Sequence, residues 1–176
     1  MRVGATGPAS AAALVLSLLA TVALTACSEP GATADPPARA PRAFVGLETA
    51  PLLDTTPAVR NAVMAEAAAT HAGLVRELIP WGRIQPFPDR VAFAPLDGLV
   101  GAAARHGLPL LPVINGTPDW ALRPDERGGL GGTGPPDDLR VLGRFAARLV
   151  ARYGPRGTFW RAHPRLPRRP ITAWQV

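Results

Sequence analysis

Arg76 is the residue of this sequence whose surroundings most clearly suggest a chemical role. It lies within Leu74–Ile79, a mostly apolar run typical of a strand that is buried on both faces. A charge in such a place must be paired with an opposite charge or hydrogen-bonded. Arg76 is therefore paired within the fold, or the strand is offset and Arg76 lies at its exposed edge. We favour the first interpretation because most of the run is apolar.

Other side chains with binding chemistry follow strand patterns directly. Trp81 and Trp120 each come just after an apolar run, and Asn115 ends one of them. An aromatic face can bind a ligand ring by dispersion, but packing in the core or a loop is the commoner use of a tryptophan. Asn115 is either a hydrogen-bonding group or a simple turn former. Glu48 follows the first strand and is interpreted as a solvated loop residue or a distal ligand contact.

Metal, cofactor and cysteine chemistry are not expected. The three histidines share neither a helical face nor a ligand spacing, so the sequence predicts no metal site and no cofactor. Asp137 and Asp138 are adjacent and face different directions, which makes them a poor catalytic pair. The single cysteine, Cys27, excludes an internal disulfide.

The positive charge of the chain does not by itself indicate a nucleic-acid partner. The formal net charge is +6, and every basic residue is an arginine in a chain rich in proline and glycine. Nucleic-acid binding would need clustered arginines with stacking aromatics. The arginines are scattered apart from the loop between Gly154 and Pro170, which we interpret as surface or as a contact to an anionic polymer. No nucleic-acid partner is predicted.

The first residues have the pattern of an export signal. A short basic start precedes the apolar run Ala11–Leu24, which is too short for a comfortable membrane span. The run ends in Leu24-Thr25-Ala26-Cys27, which resembles a bacterial lipoprotein cleavage box. We expect a signal peptide over residues 1–26, lipid attachment at Cys27, and a flexible linker over residues 27–42. The protein would then be anchored to a membrane of the cell envelope; the alternative is an ordinary secreted protein cut after Ala26.

Residues 43–176 alternate between strand and helix patterns, which predicts an α/β fold. The first three strands are each followed by a helix pattern, and the spacing of the first three matches βαβ units. An open doubly wound sheet and a β/α barrel both fit, although the first turn lacks the glycine pattern of dinucleotide sites. The predicted strands are Ala43–Leu47, Leu74–Ile79, Leu108–Ile114 and Ile171–Val176. The predicted helices are Pro57–His71, capped by Thr56, Leu96–His106 and Pro136–Tyr153.

Several stretches, taken in order, resemble clan A glycoside hydrolases, near the family 5 cellulases and the family 39 β-xylosidases. Leu74-Val75-Arg76 with Pro80-Trp81 and Ile84-Gln85-Pro86 is similar to their second-strand region. Leu110-Leu111-Pro112-Val113 with Thr117-Pro118-Asp119-Trp120-Ala121 is similar to their third strand and its loop. Gly157-Thr158-Phe159-Trp160 and Ala173-Trp174-Gln175-Val176 resemble the approach to their fourth strand.

The resemblance implies a TIM-type β/α barrel, of which this chain would supply four parallel strands and three helices. In the family the fourth strand continues into Trp-Asn-Glu-Pro, whose Glu is the acid/base. This sequence stops before that motif, so we expect a fragment without either catalytic carboxylate. Arg76, Trp81, Asn115 and Trp120 would bind a polysaccharide or oligosaccharide substrate, with Arg76 holding the absent nucleophile ionised.

The leading functional expectation is therefore the N-terminal part of an exported, lipid-anchored glycoside hydrolase for β-linked sugars. The full family mechanism is retaining, through a covalent glycosyl-enzyme, while this chain alone would be inactive. One alternative is a non-catalytic carbohydrate-binding or envelope lipoprotein. Another is a broken gene product without function.

Overall fold

A computed structural model of the chain describes residues 45–128 and 134–176. The predicted signal peptide, Cys27 and the whole predicted linker lie outside these residues. Within them, three strands and five helices follow one another as β1 Gly46–Glu48, α1 Pro57–Ala69, β2 Leu74–Pro80, α2 Trp81–Ile84, α3 Ala94–Arg105, β3 Leu110–Asn115, α4 Leu139–Tyr153 and α5 Thr158–Ala162. None of the described helices is long and apolar enough to span a bilayer.

The three strands form one parallel sheet in the order β1-β2-β3. Gly46 aligns with Leu74, and Val75 aligns with Leu110, so each strand follows its neighbour in sequence order. Parallel neighbours joined by helices are the repeating unit of a β/α barrel. The predicted α/β fold is therefore confirmed, with β2 and β3 within two residues of their predicted ends.

The two faces of the sheet have different surroundings. Along β2, Val75, Glu77 and Ile79 are buried, while the alternate residues are partly exposed. The buried side packs in a core with residues of α1, α3 and α4, including Met64, Leu99 and Leu149. We call the other side, which carries Glu48, Arg76, Leu111, Asn115 and Gln175, the open face.

Local sequence signals explain where the helices begin and end. The Thr56 side chain accepts a hydrogen bond from the Val59 N–H at 3.3 Å, and Pro57 occupies the first turn of α1. Asp138 caps α4 by accepting from the Arg140 N–H at 2.9 Å, so α4 begins later than predicted. Gly107 ends α3 with a φ of +72°, a conformation that glycine adopts without strain.

Two expectations about helices need correction. The four-residue spacing of Val59, Val63 and Ala67 predicts one shared face of α1, but only Ala67 of the three is buried; Val59 is exposed, and Arg60 and Met64 are buried. The segment after Gly154 was predicted to be a loop, but it contains the short helix α5. Phe159 and Trp160 bury their rings from α5 against Tyr153, which explains why this segment folds locally.

The predicted fourth strand, Ile171–Val176, is reduced to one bridge beside β3. Gln175 pairs in parallel with Val113, since its N–H donates to Pro112 O at 3.0 Å and its carbonyl accepts from Ile114 N at 2.8 Å. A parallel ladder continued by one step would need the N–H of residue 112 to donate to Ala173. Proline has no N–H, so the ladder stops there.

Candidate functional site

The candidate site lies where the parallel strands end. Glu48 ends β1, Pro80 ends β2 and Asn115 ends β3. The register aligns Pro80 with Asn115, so β2 and β3 end at one edge of the sheet, while Glu48 aligns with Arg76, so β1 ends short of that edge. In open α/β sheets and barrels, ligands bind at this carboxyl edge. The loops that follow it carry Trp81 and Trp120.

Arg76 joins three positions of the open face. Its Nη1 donates to Glu48 Oε1 at 2.6 Å, and its Nε donates to Gln175 Oε1 at 3.1 Å. This arrangement follows from the alternation of β2, which places Arg76 on the opposite side of the sheet from Val75 and Glu77. Arg76 is therefore a paired charge that lies across the face rather than a free charge at an exposed edge.

The Arg76–Glu48 pair remains within reach of solvent. The side chains of Arg76 and Glu48 are 30% and 54% exposed. Ion pairs this exposed typically contribute about 0–1 kcal/mol to stability. Guanidinium has five N–H donors, and within the described residues Arg76 uses Nε and Nη1. The open face thus offers both further donors and a carboxylate to a polar ligand. The predicted role of Arg76 towards a nucleophile stays a prediction.

Glu77, which the sequence interpretation missed, is a buried, hydrogen-bonded carboxylate beside the site. It is only 1% exposed, and its carboxylate accepts from the Leu52 N–H at 2.5 Å and from the Thr49 hydroxyl. These bonds fix the loop that follows β1, directly behind Glu48. Burial raises the pKa of Glu77, the two hydrogen bonds lower it, and the nearby Glu48 raises it again, for a net upward shift. The sequence signal that could have identified Glu77 is its position directly after Arg76 in β2, which places an acidic side chain on the opposite, buried side of the strand.

Trp81 does not lie where a ligand could stack on it. Its side chain is 1% exposed, and its ring stacks on Phe145 with centroids 5.3 Å apart. The Trp120 ring packs edge-on against the Trp81 ring, with the two centroids 5.7 Å apart. The Trp81 indole Nε1 donates to Gln85 Oε1 at 2.9 Å. The predicted substrate contact of Trp81 is contradicted by this burial, and we assign Trp81 to the core.

Asn115 and Trp120 both lie near the carboxyl edge. Asn115 is exposed at the end of β3 beside Pro80. Trp120 is partly buried in a 3-10 turn, Asp119–Ala121, and its Nε1 donates to Gln85 O at 3.0 Å. That bond and the contact with Trp81 hold the Trp120 ring in one orientation. Their roles as substrate contacts stay predictions.

No protein-family model and no curated protein matches the chain. Solved structures do. The chain is similar to a GH5_18 protein from Bifidobacterium longum, with 14% identity over 45% of this chain and 23% of that one and a TM-score of 0.38. A family 39 glycoside hydrolase from the gut symbiont Bacteroides cellulosilyticus shares 14% identity over 74% and 23%, with a TM-score of 0.49. A GH5_18 protein from Streptomyces cattleya shares 22% over 57% and 26%, with a TM-score of 0.45.

This likeness is partial and concerns fold. The chain covers about a quarter of the length of each of these structures. The two GH5_18 structures are complexes with Manβ1-4GlcNAc, which is a property of those proteins. The structures found belong to glycoside hydrolase families 5 and 39, the families that the sequence stretches resemble.

Proposed function

We propose that residues 43–176 form the first part of a β/α barrel glycoside hydrolase that acts on β-linked sugars. The observation that carries this proposal is the Arg76–Glu48–Gln175 cluster on the open face of a parallel sheet, with Asn115 at the carboxyl end of β3 on the same face. Charged and amide groups bonded to one another on an open, half-exposed face are suited to a ligand rich in hydroxyl groups. A packing role alone would not need a cluster on the side of the sheet away from the helices.

In this proposal the cluster binds and orients the sugar rather than reacting with it. Arg76 donates hydrogen bonds to sugar oxygens, and Glu48 and Asn115 accept from hydroxyl groups. The Trp120 ring covers one side of the sugar. Retaining hydrolysis needs two carboxylates about 5 Å apart, one as acid/base and one as nucleophile. We place both of them on strands outside this sequence, with Arg76 beside the nucleophile, so the chain alone hydrolyses no glycoside.

The proposal includes export and lipid attachment at Cys27. It is supported by the apolar run Ala11–Leu24 and by the small residues that precede Cys27. Metabolic labelling with palmitate, with Cys27→Ala as control, tests this part. We expect label in the parent protein and none in the variant; equal labelling of both would contradict the anchor and leave the sugar-binding proposal standing.

A non-catalytic carbohydrate-binding lipoprotein is the second candidate. It is favoured by the pairing of Glu48 with Arg76, because this pair leaves the cluster complete without a catalytic carboxylate. The two candidates share the binding face and differ in chemistry. The gene sequence that follows the Val176 codon distinguishes them, since an encoded Trp-Asn-Glu-Pro and further strands would support the hydrolase.

Binding of a panel of β-linked disaccharides, including Manβ1-4GlcNAc, tests the site by calorimetry. Arg76→Gln is expected to weaken binding at least about tenfold, the effect of losing a hydrogen bond worth roughly 1.5 kcal/mol. Arg83→Gln is the matched control, since Arg83 also bonds an exposed carboxylate, Asp54 Oδ1, at 2.6 Å. Equal losses in both variants would refute the site. Turnover of aryl β-glycosides that Glu48→Gln abolishes would show that the chemistry belongs to Glu48 instead.

A further inference from the structure

Charge is divided sharply along this chain. All of its 13 acidic residues precede Leu139, and the remaining residues, 139–176, contain arginines and no Asp or Glu. The last third of the described structure is therefore cationic throughout. Arg152 is the arginine of this segment that has an acidic partner among the described residues, since it pairs with Asp97.

Helix α4 arranges three of these arginines in a row. Arg140, Arg144 and Arg148 are spaced four residues apart, so they lie along one side of the helix, and all three are exposed. The buried stripe of α4, formed by Phe145 and Leu149, faces another direction. This row thus covers solvent-facing surface and contributes nothing to the core.

The row continues into the segment after α4. A surface depression lined by Arg148 and Ala151 adjoins a second one lined by Ala151 and Arg156. A third depression is lined by Arg156 and by arginines 161 and 168. One acidic residue, Asp89, lines the first depression. We call this continuous surface the arginine face; its members are Arg140, Arg144, Arg148, Arg156, Arg161 and Arg168.

The ends of the arginine face are held by the backbone. Arg161 donates to the Arg156 carbonyl at 2.9 Å, and Arg168 donates to the Pro155 carbonyl. None of the members forms an ion pair within residues 45–128 and 134–176. A row of like charges without counter-charges repels itself, and an anionic surface would relieve that repulsion.

We propose that the arginine face docks on a bilayer that contains anionic phospholipids. The same helix exposes Leu139, next to Arg140 in sequence, and Val150, which lines a depression with Arg156; apolar and basic groups exposed together are typical of surfaces that rest at a lipid interface. Single-stranded nucleic acids are bound with the help of exposed aromatic rings. Of the aromatic residues of this segment, Phe145, Tyr153, Phe159 and Trp160 are buried, and Trp174 is partly buried. A lipid at Cys27 would add the second of the two signals that stable membrane association needs, but the face does not depend on it.

Vesicle co-sedimentation of the full chain tests the proposal, with Cys27→Ala in every protein so that no acyl chain is attached. Neutral phosphatidylcholine vesicles are compared with vesicles that contain about 30% phosphatidylglycerol. The leader is the same in all proteins, so differences between variants report the arginine face. We expect tighter binding to the anionic vesicles, and weaker binding as salt rises from about 0.05 to about 0.3 M.

Changing Arg140, Arg144 and Arg148 together to Gln is expected to weaken anionic binding about a hundredfold, since each basic residue near such a surface contributes about fivefold. The matched control removes the same charge elsewhere, through Arg83, Arg123 and Arg127 to Gln, and should keep most of the binding. Equal effects of the two triple variants would reduce the result to net charge and overturn the proposal. Binding to a duplex DNA fragment that exceeds vesicle binding, and that the α4 variant abolishes, would overturn it in favour of nucleic acid.

Discussion

Removing the Glu77 carboxylate should free the loop that follows β1. In Glu77→Ala the Leu52 N–H loses its acceptor at 2.5 Å, and the Thr49 hydroxyl loses its partner. A buried N–H left without an acceptor costs about 1–3 kcal/mol. Because about 1.4 kcal/mol corresponds to a factor of ten, the Leu52 amide should exchange with solvent roughly 5- to 150-fold faster.

Amide hydrogen exchange measured by NMR gives the exchange rate of the Leu52 N–H directly. Glu48→Ala is the matched control, because it removes a neighbouring carboxylate whose exposed ion pair contributes only about 0–1 kcal/mol. Leu52 exchange that is unchanged in Glu77→Ala, or that accelerates equally in Glu48→Ala, would refute the anchoring role of Glu77.

Glu77→Gln separates hydrogen bonding from charge. The amide can still accept from Leu52 and can donate to Thr49, so Leu52 exchange should stay close to that of the parent protein. Burial raises the pKa of Glu77 above its unfolded value. The folded state then holds the proton more tightly, so stability is lost as pH rises from about 4.3 through the folded pKa. Glu77→Gln cannot ionise and should remove this fall, which urea unfolding at several pH values would show.

Three further outcomes are expected. Trp81→Ala should lower the free energy of unfolding by about 3–5 kcal/mol in urea, the cost of emptying a buried aromatic site; a loss below about 1 kcal/mol would contradict its place in the core. Gly157→Ala should lower the melting temperature, because its Cβ would collide with the Arg152 carbonyl, whereas Gly143→Ala meets no atom within 4 Å and should leave it unchanged or raised. Burial raises the pKa of Tyr153, the only tyrosine of the chain. Near-ultraviolet titration should therefore detect no tyrosinate in the folded protein at a pH of about 10. The free energy of unfolding should fall as pH rises above that value, because the unfolded state loses this proton first.

The elements that the sequence predicted well are those whose signal is local. β2 and β3 are apolar runs because parallel strands are buried by helices, and Leu96, Leu99, Val100 and Ala103 of α3 are all in the core. The prediction of the fourth strand was wrong for a reason that cannot be found in the residues of that strand. Its pairing depends on Pro112 in the neighbouring strand, so the apolar run Ile171–Val176 alone could not reveal the interruption.

The site was predicted in part for the same reason. Arg76 was identified from its apolar surroundings, but its partners Glu48 and Gln175 come from other strands and follow only from the register. The position of Trp81 was predicted wrongly because Phe145, the residue that buries its ring, lies on α4, far away in the sequence. Glu77 was overlooked because the pattern of β2 shows which residues alternate. It does not show that the Thr49 hydroxyl and the Leu52 N–H, in the loop after β1, need an acceptor.

Pro112 also affects how this sheet behaves towards other molecules. An exposed strand edge recruits strands from neighbouring chains, and such recruitment leads to aggregation. At the outer edge of β3, Ile114 N and Pro112 O are already bonded to Gln175, and Pro112 itself has no N–H to donate. A strand arriving from another molecule would have to displace Gln175 and would still meet a gap in the ladder. The proline that shortens the fourth strand thus also protects this edge from intermolecular β-pairing.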